Sequence, residues 1–460
     1  MKTEITNMNI INPATEEVIA TPKQDSVSSV EEKLTKLRQG QKQWKKLSVA
    51  DRLSIIQNFG GLVKENVDEL ASILTSEVGK PIKQSRGEVL GSLNRITHLV
   101  DNAEKWLSDE LITEGDTAEE IKYEPLGVIA NISAWNFPYN VGYNVFLYAL
   151  VAGNAVLYKP SEYACLTGLR LKELLVEAGV PEDVFEVVIG GGDVGQYMLE
   201  ADLDGYFFTG SYKTGVHIAK QVAHKLVPVQ LELGGKDPLY VADDVPDIRH
   251  AAVNAAEGAF YNNGQSCCAV ERIYVHNGIY DEFLKAFIDE VKSFRIGDPV
   301  QEDTFIGAMT REPQIDVILG QVKDALNKGA KLELGGSRLA GKGYFLQPTV
   351  MSSVNSSMSI MMDESFGPVI GIQKVDSDNE AMKLMNDTTY GLTAAVFSSD
   401  EARAKAILDE LSVGTVYWNC CDRVSPNVPW SGRKNSGLGS TLSYQGIRAF
   451  VQPKAYHFRS

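Results

Sequence analysis

Residues 260 to 269, Phe-Tyr-Asn-Asn-Gly-Gln-Ser-Cys-Cys-Ala, set a thiol beside a tight Gly-Gln turn. Glycine lets the backbone come close to a ligand, and backbone N–H groups beside the thiol can face an oxyanion formed on it. Cys267 is therefore a candidate nucleophile; the ordinary alternative makes Cys267 and Cys268 small buried hydrophobes. About 35 residues upstream, Leu231-Glu232-Leu233-Gly234-Gly235-Lys236 puts a carboxylate at the end of an apolar strand, just before a Gly-Gly break. That is where open α/β sheets present their chemistry.

Four further stretches carry polar groups at strand ends. Ala134-Trp135-Asn136-Phe137-Pro138 offers a side-chain amide donor at Asn136, or else a plain turn asparagine. Lys159-Pro160-Ser161-Glu162 follows an apolar run, with an exposed ion pair as the bland alternative. In Phe208-Thr209-Gly210-Ser211 a strand ends, Gly210 permits close approach, and Ser211 heads a helix whose N–H groups favour an anion; simple N-capping fits the same residues. Gly190-Gly191-Gly192-Asp193-Val194-Gly195 fits G-x-G-x-x-G between strand and helix, but the acid expected about 20 residues later is missing from Thr209-Gly210-Ser211. A lone match does not establish a phosphate site, and Phe208-Thr209-Gly210-Ser211 is the better candidate.

Together, the Cys267 and Glu232 stretches resemble the NAD(P)-dependent aldehyde dehydrogenase superfamily, and the resemblance runs from about Asn12 to Ala455. It implies that Cys267 attacks an aldehyde, that Asn136 and the Cys267 N–H hold the oxyanion, and that water activated by Glu232 hydrolyses the thioester, with Lys159 also among the catalytic set. Family members that pass the acyl group to coenzyme A commonly lack that glutamate, so a free carboxylic acid is the implied product. The implied cofactor is NAD, bound by Ser133, Trp135, Lys159, Ser161, Glu162, Gly192, Gly210, Ser211, Glu232, Leu233, Gly234, Glu364 and Phe366. Within Glu364-Ser365-Phe366-Gly367-Pro368-Val369, the glutamate would hold the nicotinamide ribose and the phenylalanine would pack on the ring, core packing being the alternative for Phe366. Glu162 can accept from a ribose 2′-OH and would repel a 2′-phosphate, which favours NAD over NADP. Asn419 resembles a residue that steadies the catalytic loop. Val141, Asn144, Ser266, Cys268 and Val424 are the implied substrate-pocket positions, and Asp422-Arg423-Val424 is a candidate mouth. Many relatives carry an aromatic or an arginine where Asn144 stands, so both a semialdehyde's carboxylate anchor and a betaine-aldehyde cage look incomplete. The competing readings are a CoA-acylating or NADP-preferring relative and a non-catalytic binding or structural protein on the same fold.

The elements that must position these residues follow from apolar periodicity. Residues 28 to 110 read as helices, starting near Ser29-Val30-Glu31-Glu32, with Leu53 to Val78 at helical spacing. Glu119 to Tyr123 alternates like an exposed strand. Short apolar runs at Val128 to Ser133, Ala155 to Lys159, Phe185 to Ile189, Tyr206 to Thr209 and Val227 to Leu233 are separated by helical stretches such as Leu166 to Ala178 and Thr214 to His224. Strands alternating with helices predict an α/β, doubly wound parallel sheet. After Cys268 come strand Ile273 to His276, helices Tyr280 to Phe294 and Pro313 to Lys328, strand Leu332 to Leu334, helix Ala402 to Leu411 and strand Gly414 to Asn419. A Gly/Pro/Ser-rich loop from Ser425 to Ser440 closes this second α/β domain. Ala449 to His457 is strand-like with no obvious partner nearby. The expected partition is a Rossmann-like cofactor domain from residues 1–113 and 127–232, a catalytic domain at 233–440, and a small β oligomerisation element from 114–126 and 441–460.

Composition bounds the function classes. The 460 residues are 44% hydrophobic, ample for a core in about two or three domains. Sixty acidic against forty-four basic residues give a net charge of −16, which disfavours nucleic acid and anionic membranes as partners. Five cysteines are too few for a disulfide scaffold and suggest a reducing compartment. Met1-Lys2-Thr3-Glu4 leads into polar sequence without a secretory h-region, and the apolar run from Val145 to Tyr158 is interrupted by Gly153-Asn154 and too short for a membrane span, so the expected location is cytoplasmic. Cys267-Cys268 and Cys420-Cys421 lack the C-x-x-C spacing of a zinc site, no G-x-S-x-G elbow is present, and the six histidines fall in no motif. No metal is expected. The expected partners are an aldehyde and further copies of the chain, as a homodimer or homotetramer through the edge strands.

Overall fold

The computed structural model describes residues 7–114 and 117–459. The ends of the expected ranges at 1–6, 115–116 and 460, including the Met1 to Glu4 start, lie outside the described residues. The expected α/β architecture is present as two largely parallel sheets.

The first sheet has six strands in the order Gly437–Leu438, Val229–Glu232, Tyr206–Thr209, Val128–Ile132, Ala155–Lys159 and Phe185–Val187. The last five are parallel and join through helices Pro138–Val151, Cys165–Ala178, Gly192–Glu200 and Tyr212–Val222. These strands are buried nearly throughout, as a sheet covered on both faces requires. Four helices, Val27–Trp44, Val49–Glu65, Val67–Val78 and Ile82–Trp106, occupy the stretch expected to be helical. The first two start where Ser26 and Ser48 accept from the N–H three residues on while that residue's side chain reaches back to the cap. Their apolar faces join one core with the sheet, including Leu37, Trp44, Ile56, Phe59 and Leu99.

The second sheet orders seven strands as Lys331–Leu334, Thr349–Ser352, Val369–Val375, Val270–His276, Asp237–Val241, Thr393–Phe397 and Thr415–Trp418, antiparallel only at the first pair. Alternate residues feed opposite faces. Leu239, Val241, Ile273 and Val275 pack with the alanine-rich helix Ile248–Phe260, whereas Tyr240, Ala242 and Tyr274 pack on the other side with Ile315, Ile318 and Val322. The strands at 237–241, 349–352, 369–375 and 393–397 go beyond those expected from the sequence.

Two findings differ from expectation. The Gly/Pro/Ser-rich loop does not simply close the second domain: Gly437–Leu438 within it pairs with Leu231 and Glu232, adding an antiparallel edge to the first sheet. Val451–Arg459 does have a partner, Thr117–Pro125, which also pairs with Glu110–Glu114, giving a three-stranded antiparallel sheet. The expected boundary at 113 falls inside this last strand.

Candidate active site

Helix Ile248–Phe260 delivers the chain to the Cys267 loop, which is held in a conformation few residues tolerate. Asn262, Asn263 and Gly264 all have positive φ, at 53°, 58° and 68°. Asparagine visits this region more readily than most residues, and glycine freely. A Cβ on Gly264 would lie 2.4 Å from the Gly367 carbonyl oxygen. Side chains over-determine the turn. Asn262 N donates to Gln84 Oε1 at 2.9 Å, Asn263 Nδ2 to the Ala308 carbonyl at 2.8 Å, and Thr310 N to Gln265 Oε1 at 3.0 Å. Such local strain persists only where the surroundings hold it. Cys267 at its end is partly exposed, while Cys268 is buried. The Cys267 backbone N–H donates to no acceptor among the described residues.

Asn136 faces this loop. Its Nδ2 donates to the Gln265 carbonyl at 3.1 Å, leaving a second N–H available, and its own carbonyl accepts from Asn262 Nδ2 at 3.1 Å and Lys80 Nζ at 2.7 Å. Lys80 also pairs with Glu88 and lies 3.8 Å from the centre of the Phe137 ring. Glu88 in turn accepts from Tyr139 N at 3.0 Å, in the first turn of the next helix. Burial holds the Lys80 amine below its usual pKa while Glu88 pulls it back. Neither Lys80 nor Glu88 was singled out by the sequence, because Lys80 looks like an ordinary charge before a helix and Glu88 like one within its second turn.

Glu232 ends its strand with its carboxyl inside the fold, 6% exposed. Oε1 accepts from Thr441 Oγ1 at 3.3 Å, and Oε2 has no partner in hydrogen-bonding geometry among the described residues. Burial pushes this carboxyl up to about 8, partly opposed by the Thr441 bond. In the Gly-Gly break that follows, Gly235 is sterically required by backbone, while Gly234 leaves room for the Glu364 carboxylate. A Cβ on Gly234 would lie 2.0 Å from Glu364 Oε1, and one on Gly235 would lie 2.7 Å from the Cys267 carbonyl oxygen. Gly235 N donates to Glu364 Oε1 at 3.1 Å, and burial, with the Glu271 charge adding to it, pushes Glu364 up to about 8. Phe366 has φ of 47°, and Glu271 accepts from its N–H at 2.9 Å and from Ser365 N at 2.8 Å while pairing with Lys236 at 2.7 Å. Phe366 meets Trp135 edge-on, with ring centres 5.5 Å apart.

Three adjoining cavities gather the candidate residues. The central one, about 280 Å³, is lined by Trp135, Asn136, Gly210, Ser211, Glu232, Leu233, Gly234, Cys267, Glu364 and Phe366. A second, also about 280 Å³, shares Trp135, Gly210 and Ser211 with it and adds Ser133, Lys159, Ser161, Glu162 and Gly192. A third, about 310 Å³, holds Val141, Asn144, Ser266, Cys267, Cys268 and Val424. Among the described residues, Cys267 alone lines both the central and the third cavity.

Two placements depart from the expected roles. Lys159 lines the second cavity and not the Cys267 cavity, and its Nζ donates to the Pro160 carbonyl at 3.4 Å. Burial lowers its amine pKa, with Glu162 opposing. It stands with the Ser161 and Glu162 group, away from the thiol. Asn419 makes its side-chain bonds to Ser398, at 3.0 Å from Oδ1 and from Nδ2, rather than to the Cys267 loop. Nothing in the sequence pointed to Arg311, which lines the central and second cavities, or to Arg95 in the third. Asp422 lines the third cavity, as the candidate mouth implied, and Ser266 Oγ and Cys268 Sγ donate to its Oδ1 at 3.3 and 3.1 Å. Burial pushes its carboxyl up to about 6. Among the described residues, no group of three or more His, Cys, Asp or Glu side chains is arranged to hold a metal ion.

Comparison with known proteins gives one family. The chain matches the aldehyde dehydrogenase family over residues 1–456. It is 34% identical over 454 residues to an aldehyde dehydrogenase of Emericella nidulans, covering 98% of this chain and 91% of that one. A crystal structure of an NAD-dependent aldehyde dehydrogenase from Sinorhizobium meliloti superposes with a TM-score of 0.96 at 33% identity, covering 99% of this chain and 92% of the other. Betaine aldehyde dehydrogenase from Staphylococcus aureus, solved in complex with NAD+, gives a TM-score of 0.95 at 32% identity, with coverages of 99% and 92%.

Proposed function

From the premise that this chain belongs to the aldehyde dehydrogenase family, and so is an oxidoreductase acting on aldehydes, we propose that it oxidises an aldehyde to the free carboxylic acid through an acyl group carried on Cys267, with NAD as the acceptor. The observation that carries this reading is the shared wall at Cys267. One side of the thiol opens to Glu232, Asn136, Glu364 and Phe366, and the other to a separate cavity for the substrate.

The residues lining the second cavity fit a dinucleotide. Leu199, Phe208 and Ile218 offer apolar surface for a flat ring, Ser161 and Glu162 offer acceptors for a ribose, and Ser211 caps the helix whose N-terminus faces the same space as Gly210. A Cβ at Gly192 would meet nothing within 4 Å, so the chain leaves room there. Glu162 next to a ribose favours a 2′-OH over a 2′-phosphate, since the latter would face like charge. When bound, the nicotinamide supplies the acceptor for the hydride that leaves the thiohemiacetal carbon.

The chain's own residues do the rest. The Cys267 thiolate adds to the aldehyde carbon, and the carbonyl electron pair moves onto oxygen, where the free Asn136 N–H and the Cys267 N–H can donate to it. Glu364 and Phe366, held by Gly235 N and Glu271, would hold the nicotinamide ribose and ring when the cofactor binds. After oxidation the carbon is a thioester. Glu232, once deprotonated, takes a proton from water as the water adds to that carbon, and Cys267 leaves as thiolate. A partnerless Oε2 suits a group that must accept a proton from a mobile water.

A panel of aldehydes followed by NADH absorbance tests this reading. NADH should form with NAD and at least one aldehyde, and Cys267→Ser should reduce it to background while Cys268→Ser keeps turnover. Absence of NADH with every aldehyde would refute it. No helix among the described residues is long and apolar enough to cross a membrane. All five cysteines are free, which supports a reducing setting. The outer edges of the three-stranded sheet support a homodimer or a dimer of dimers; a monomer in light scattering at micromolar concentration would overturn that assignment.

A further inference from the structure

An arginine in the third cavity forms no ion pair among the described residues. Arg95 sits on helix Ile82–Trp106 four residues after Gly91 and lines the cavity with Gly91, Asn144 and Cys267. A Cβ on Gly91 would meet nothing within 4 Å, so the helix leaves open space beside the guanidinium. Its one hydrogen bond among the described residues is donated from Nη1 to Asn144 Oδ1. No carboxylate pairs with it. Glu88, about two turns earlier on the helix, is already engaged by Lys80, and Asp422 is bonded by Ser266 and Cys268. Burial lowers the guanidinium pKa only to about 10, so it remains cationic at neutral pH.

Arginine presents five donors in a rigid fork that matches a carboxylate, and leaving such a group without an anion in a half-buried cavity is costly. At Asn144 the sequence lacked the arginine expected of a semialdehyde pocket; the fold brings one in from a different helix, and Asn144 orients it. Resting on the aldehyde dehydrogenase reading above, we propose that the third cavity takes an aldehyde whose far end carries a carboxylate, bound by the Arg95–Asn144 pair. Arg95 is then the specificity-determining residue. Gly91 leaves room for the carboxylate, and Val141 and Val424 supply apolar wall for the chain between the two ends.

Full-length protein with saturating NAD is assayed with 4-oxobutanoate and 5-oxopentanoate against butanal, pentanal and 4-aminobutanal. The carboxylate substrates should be preferred by about 10- to 100-fold in kcat/KM, the range for one charge-assisted bidentate contact. Arg95→Met should collapse the carboxylate-to-alkanal ratio towards unity, mainly through KM, and Arg95→Lys should restore part of it. A second readout needs no turnover: glutarate should slow alkylation of Cys267 by iodoacetamide in the wild type, and much less so in Arg95→Met at matched ionic strength. If alkanals or 4-aminobutanal are used as well as the oxo acids by the wild type, the proposal is overturned. If no aldehyde gives NADH but glutarate still protects Cys267, the dehydrogenase reading fails and the anion site stands; if alkanals give NADH and glutarate does not protect, only the anion site fails. Should the Arg95 variants not fold, the wild-type preference and the glutarate protection decide the matter.

Discussion

Replacing Lys80 by methionine probes how the fold holds Asn136. The Lys80 and Glu88 side chains are both fully buried, and Lys80 Nζ also donates to the Asn136 carbonyl at 2.7 Å. Removing the amine leaves the Glu88 carboxylate inside the protein with only backbone donors, at 3.0 Å from Tyr139 N and 3.4 Å from Asn140 N. Breaking one half of a buried pair costs about 3–5 kcal/mol, whereas removing both charges together is often close to neutral. Lys80→Met should therefore lower the unfolding free energy measured by urea titration by that amount, and Lys80→Met with Glu88→Leu should recover most of the loss, a coupling of about 2 kcal/mol or more. Turnover should fall in the single mutant by up to about 100-fold, because the Asn136 amide loses its anchor beside the Cys267 loop. A single mutant within about 1 kcal/mol of the wild type, or a double mutant as unstable as the sum of the singles, would refute the assignment.

The remaining predictions concern Glu232 and Glu162. A base works deprotonated, so with the Glu232 carboxyl near 8, steady-state turnover should rise as pH increases through about 8, and a stopped-flow pH profile of thioester hydrolysis that is flat from 6 to 9 would contradict this. The same shift has a stability consequence: a carboxyl raised in the folded state stabilises it below its unfolded value of 4.5 and loses that contribution as pH climbs towards 8. Glu232→Gln should thus stabilise the fold at pH 7 by on the order of 3 kcal/mol at most, read as a higher melting temperature whose margin narrows towards pH 4.5. For Glu162→Gln, loss of the charge beside the ribose should narrow the preference for NAD over NADP, and equal use of both by the wild type would return Glu162 to an ordinary surface role.

Much of the site could be read from the sequence because its residues lie where local rules are strongest. Glu232 ends an apolar run before two glycines, Cys267 follows a positive-φ Asn-Asn-Gly turn, and the two helices expected at Leu166 to Ala178 and Thr214 to His224 start and stop within two residues of expectation. What was not legible arrives through space rather than along the chain. Arg95 looks like a solvated helix charge until helix Pro138–Val151 brings Asn144 against it. Lys80 and Glu88 read as surface charges because nothing nearby reveals that the 134–139 turn will close over them. Gly437–Leu438 sits in a loop-like composition and becomes a strand only because the edge of Val229–Glu232 offers it a partner.

The central claim, an acyl group carried on Cys267 and released through Glu232, is tested most directly by mixing Glu232→Gln with NAD and a competent aldehyde and following NADH and intact mass together. Oxidation does not need the base and hydrolysis does, so a burst approaching one NADH per active site is expected, followed by slow turnover, with the acyl mass increment on the peptide containing Cys267. No burst and no adduct in a mutant that still binds NAD would move Glu232 to an earlier step, and near-normal turnover would remove it from the mechanism.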